Sequence, residues 1–258
     1  MKEEDLDTVL VPSGVLVLTF YHLWLIFTII NNPKRTVIGI NAETRHRWVY
    51  CLMADPLKNG VLAIQTLRNN IMASTLLATA AITLSSLISV YVSTSDSLSS
   101  QIVYGNKSSI VSSVKFFAIL LCFLSAFLCN VQSVRYFAHV SFLITVPPTD
   151  NIDSIEYVAQ NVIRASFFWS LGLRAFYLSF PLFLWIFGPI PMFLCSCFMS
   201  FLLYFLDTTA SILRDLYDLS SKEESQCSDL ESVHHSSLSV RFECPDHTKP
   251  LLGMNGSG

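Results

Sequence analysis

The chain has 258 residues, 52% of them hydrophobic and 14% charged, with a net charge of -3. A soluble domain of this size carries about a quarter of its residues as charges, so an ordinary soluble globule is excluded, and the weak net charge without an RNA or DNA motif argues against a nucleic-acid platform. The seven cysteines are odd in number, scattered and without a CxxC pair, which argues against a disulfide scaffold.

Residues 1–8 form an acidic segment, and "MKEEDLD" has the wrong charge for the start of a signal peptide. The apolar block Val9–Ile30 that follows has no small-x-small cleavage site before "NNPKR" and reads as a retained anchor, the first span. His22 lies inside it between Tyr21 and Trp24. It reads as a packing histidine, with a proton relay as the alternative.

Loop 31–70 carries Lys34, Arg35, Arg45, Arg47, Lys58 and Arg68 against Glu43 and Asp55, six minus two or +4. Positive loops stay on the cytosolic side. The loop is therefore expected in the cytosol and the N-terminus outside or in a lumen. Asn41–Ala54, "NAETRHRWVYCLMA", reads as an amphipathic helix at the interface, with Trp48 and Leu52 toward apolar surface and Arg45 and Arg47 toward headgroups. Asp55-Pro56 then supplies an N-cap and a first-turn proline. Leu57, Val61, Ile64, Leu67 and Ile71 follow as one helical stripe, so the second helix starts near Pro56 and runs into its span, about residues 71–92. Ser74, Ala78, Ala81, Ser85 and Ser89 share a face of small residues suited to close helix packing, or to a polar conduit.

A Ser-rich linker follows, with the glycosylation sequon Asn106-Lys107-Ser108 on the predicted outer side. The third span, about 114–134, is expected to continue to about Val146, where "VPPTD" stops it. Ser125, Gln132, Arg135 and His139 share one of its faces. Cations near a membrane are costly unless paired or wet, so this face is either an inward polar site or a solvated projection. Arg68, Arg135, His139 and Arg164 together would make a basic ring at the inner interface, suited to anionic lipid headgroups or a small anion.

From Ala165 to Leu206 the chain stays apolar for twice the length one span needs. Two readings follow. Gly188-Pro189-Ile190-Pro191 is the turn between spans 165–187 and 190–206, giving five spans and a cytosolic tail, or a kink in one longer helix, giving four spans and an external tail. With five, Arg174 and Asp207 fall at a similar depth and can pair. Cys195 and Cys197 read as small side chains in an apolar helix. Residues 219–258 are polar, Ser-rich and acidic, a tail expected to be disordered. Ser221 and Ser228 each precede an acid by three residues, as acid-directed kinases prefer. No catalytic, metal or cofactor motif is present.

"TVIGINAETRHRWVYCLMADPLKNGVLAIQTLRNNIMASTLLATAAITL" resembles the plant members of the family called domain of unknown function 599, and "YHLWLIF", "GLRAFYLSFPLFLWIFGPIPMF" and "LYFLD" add to it. The resemblance covers about residues 15–210. It implies a multi-span membrane protein and carries over no catalytic residues. Where bacterial relatives end the last span with basic residues, this chain has "LDTTASILRDLYD".

The expectation is an all-α polytopic membrane bundle, five spans with four as the alternative, its long antiparallel helices projecting into the cytosol. It would sit in the plasma membrane or an endomembrane and act as a non-enzymatic scaffold or small transporter. Its partners would be the bilayer with its anionic headgroups, and a protein meeting loop one or the tail. A lipid-handling or lipid-modifying membrane enzyme is the alternative.

Overall fold

The computed structural model describes residues 3–95, 109–146 and 152–208. These residues form α1 (Glu3–Asn31), a 3-10 turn (Pro33–Arg35), α2 (Val37–Ala54), α3 (Pro56–Ser95), α4 (Ser109–Leu143), α5 (Ile152–Leu184) and α6 (Pro189–Asp207). All but α2 and the turn are long and apolar enough to cross a membrane, which gives five spans. The Ser-rich linker with Asn106 and the tail with Ser221 and Ser228 lie outside the described residues.

Helix boundaries follow from the punctuation of the sequence. Asp55 Oδ1 accepts from the Lys58 amide at 3.2 Å, capping α3 as Pro56 opens it. At the other end of the bundle α5 stops at Leu184, Gly188 adopts φ 152°, and Pro189 starts α6. That φ is open to glycine and strained for any side chain. The chain therefore turns between two helices here and does not kink within one. α4 ends at Leu143, three residues short of the expected Val146.

α3, α4 and α5 pack as an antiparallel layer with α4 in the middle, and α1 lies along α6. One polar contact fixes their register: Ser133 donates to the Ala165 carbonyl at 2.9 Å and meets Ser74 at 3.3 Å. The small-residue face of α3 is the packing face, with Ser74, Ala78 and Ala81 buried against α4. Gly172 allows a similar approach from α5, where an added Cβ would stand 2.6 Å from Asn130 Nδ2.

One expectation on loop one is corrected. α2 does not lie flat at the interface. Its start lines a cleft with Ile163, Ser166 and Ser170, and its middle meets Glu156 through His46 at 2.8 Å. As α2 advances α5 recedes, so α2 stands against α5, antiparallel to it. Standing buries Val49, Leu52 and Met53 with Leu67, Phe137, Val140 and Val158 in one apolar core, which a helix lying on headgroups would forgo. α3 starts at Pro56 as the stripe Leu57–Val61–Ile64–Leu67–Ile71 implied, and the stripe divides, with Leu67 buried and Ile71 packed against the core. Leu57, Val61 and Ile64 are exposed, and Ala63 and Leu67 face the core. The α4 seam sets the rotation of α3, and that seam needs small residues.

The end carrying α2 is a four-helix projection with its own core, beyond the levels that α1 and α6 reach. An isolated bridge between Thr36 and Thr208 ties the chain after α1 to the end of α6.

Candidate functional site

The serine contact between α3, α4 and α5 gives axial positions. Arg135 is two residues past Ser133 and Arg164 one before Ala165, so both lie within about 3 Å of that level, on the projecting side. Arg68 and His139 are each six residues from their serine, about 9 Å further on. The four basic side chains thus occupy one band around the bundle. All four are exposed, and among the described residues Arg68, Arg135 and Arg164 form no ion pair. His139 Nε2 stands 3.4 Å from the Tyr157 hydroxyl. The side chains face outward from three helices and do not converge on a common interior point. Exposed apolar Leu76, Val131 and Phe167 lie just on the membrane side of the band, and Met72 lies within it.

Inside the same band is an Arg that composition alone does not single out. Ile38, Ala42, Arg45, Val49 and Leu52 follow at spacings of 4, 3, 4 and 3, the inward stripe of α2. Arg45 therefore takes a core-facing place. It borders a cleft with Ile163 and Ser166 on one side and a cavity of about 220 Å³ on the other, which Thr44, Trp48, Thr66, Asn70 and Phe137 help line. Burial pushes the Arg45 guanidinium below its ordinary pKa, with no carboxylate acting to raise it. Its neighbours Glu43 and Arg47 pair with each other, at 3.5 Å.

Two further polar groups hold helices together. Arg174 Nη2 stands 2.8 Å from each oxygen of Asp207, and the Tyr21 hydroxyl donates to Asp207 Oδ2. This cluster joins α1, α5 and α6, and its charged side chains are 14% and 12% exposed. Nearer the tip, Glu156 accepts from Tyr50 at 3.1 Å and from Gln160 at 2.7 Å, beside its contact with His46. Burial, and then the Glu156 carboxylate, raises the Tyr50 phenol pKa. At the opposite end Lys115 lies over the Trp185 ring, 5.2 Å from its centroid.

His22 Nδ1 is 2.7 Å from the Leu18 carbonyl one turn back, a local contact. Cys195 and Cys197 are free thiols. Among the described residues no three His, Cys, Asp or Glu side chains gather as metal ligands would.

Residues 9–212 match the family described as "Protein of unknown function, DUF599". The chain belongs to that family. The DUF599 match spans every helix described above except the first turns of α1, so the α2 projection and the Arg174–Asp207 cluster both lie within it. No curated protein and no solved structure matches this DUF599 chain. The protein is an integral membrane protein.

Proposed function

We propose that the protein is a non-enzymatic membrane scaffold. Its helical projection would present a surface to a protein partner, and the basic band would seat it on anionic lipid. The observation that carries this reading is the tip of α3. Leu57 is 98% exposed and Val61 78%, with Leu62 and Ile64 also open. They lie ten or more residues past Ser74, at least about 15 Å beyond the serine contact. Apolar side chains grouped in water mark an interaction surface. A transporter reading has less support, because Ser74 and Ser133 are fully buried and spent on helix–helix hydrogen bonds.

Loop one carries the positive charge, so the projection is assigned to the cytosolic side and the N-terminus to the opposite side. The scaffold reading is tested by cross-linking in the native membrane with Leu57→Glu and Val61→Glu. We expect the double variant to insert normally and to lose a specific cross-linked partner. An unchanged partner set, or turnover of a lipid by the purified protein, would overturn it.

A further inference from the structure

We propose that the cavity beside the middle of α2 is a binding site for the phosphate of an anionic phospholipid headgroup, with Arg45 as its cation. This deepens the scaffold reading by naming the lipid contact, and it rests on that reading only for the projection being at the membrane surface.

Arg45 occupies a core-facing position on α2, where Ile38, Ala42, Val49 and Leu52 are apolar. A half-buried cation in such a place is costly without a counter-charge. No described carboxylate pairs with it, although Arg47 two residues on has Glu43 and Arg174 in the membrane has Asp207. The missing anion would come from outside the chain. Helical side chains lean toward the N-terminus of their helix, which for α2 is the membrane side. Arg45 accordingly leans toward the membrane side, where it borders both the cavity and the cleft shared with Ile38 and Asn41.

Depth selects a lipid. The cavity is lined by Asn70, Phe137 and Val162, about 5–6 Å from the serine contact on the projecting side, and by Leu67 and Thr66, about 10–12 Å from it. That is the layer of the basic band, from Arg164 and Arg135 outward to Arg68 and His139, next to the exposed apolar Met72 and Leu76. Phosphates of the inner leaflet lie in such a layer. The lining is also mixed as a headgroup requires. Trp48 and Phe137 provide apolar wall, while the exposed Asn70 amide, with no protein partner described, can donate to a phosphate oxygen. A volume of about 220 Å³ is below the range of whole small-molecule pockets, and it suits a phosphate with its glycerol while the acyl chains stay in the bilayer. An arginine fork grips phosphate oxygens in pairs.

The test is native mass spectrometry of the full chain released from nanodiscs of phosphatidylglycerol diluted in phosphatidylcholine. The wild type should retain phosphatidylglycerol selectively. Arg45→Gln should lower that occupancy by about tenfold or more, the loss of one charge-assisted contact. Arg164→Gln, on the outer face at the same level, should change it less than about twofold. Should Arg45→Gln fail to fold, Thr66→Phe fills the cavity from α3 and should also lower occupancy. Retention in the variants at the wild-type level overturns the proposal. So does displacement of the lipid by millimolar inorganic phosphate, which would make the site one for a free anion. Lipid turnover or an unchanged partner set leaves occupancy as it is and bears on the scaffold reading alone.

Discussion

Asp207 holds two partners from two helices, the Arg174 guanidinium and the Tyr21 hydroxyl. Removing one side of such a pair leaves the other buried and uncompensated, at a cost of about 3–5 kcal/mol. Asp207→Asn and Arg174→Met are each expected to lower the unfolding midpoint in detergent, and the double variant should recover part of the loss. Strict additivity of the two losses would show that the pair is not coupled. Arg174 and Asp207 were legible in the sequence, because 1.5 Å per residue counted from Gly188 brings them to one depth. Tyr21 was not, since a tyrosine in an apolar span looks like any other aromatic. Arg45 was visible as a charge but misplaced. Its inward position follows from the Ile38–Ala42–Val49–Leu52 spacing, which is informative only once α2 is known to stand upright.

At the scale of elements, the joint between the 3-10 turn and α2 is the tightest backbone approach. A Cβ at Gly39 would lie 2.1 Å from the Pro33 carbonyl oxygen, and Thr36 caps the helix by accepting from the Gly39 amide at 3.2 Å. Gly39→Ala must push backbone against backbone, so it should destabilise by about 1–3 kcal/mol. Proteolysis of loop one in mild detergent would report it, and an unchanged cleavage rate would show that the turn yields freely. Helix starts were the most legible elements, because Pro56 and Gly188-Pro189 act locally. Which face of α3 is buried was harder to read. Leu57, Val61 and Ile64 make as good an apolar stripe as Ala63 and Leu67, and only the partner helix, with its demand for small residues at Ser74 and Ala78, decides between them.

For the whole molecule, length and apolarity left five spans or four, the turn at Gly188 decides for five, and the projection was legible from helices that outrun the bilayer. The direction in which it points has a direct test. Cys51 is exposed on α2. In a variant keeping only that cysteine, a membrane-impermeant maleimide should label sealed cells or right-side-out vesicles poorly and inverted vesicles well. The reverse pattern would turn the bundle over.

The pairing of α1 with α6 has a consequence for how the protein is made. From Asn31 to Pro189 the ribosome must add about 160 residues, some 8–30 s of synthesis. Throughout that interval α1 has left the translocon without its neighbour, while α3, α4 and α5 meet theirs almost as they emerge. Its composition suits the wait. Val9, Leu16, Phe20, Leu23, Phe27 and Ile30 are exposed, so most of its circumference is already adapted to lipid. Assembly therefore closes with the last helix, and a chain truncated before α6 would leave the first helix stranded in the bilayer, a natural substrate for membrane quality control.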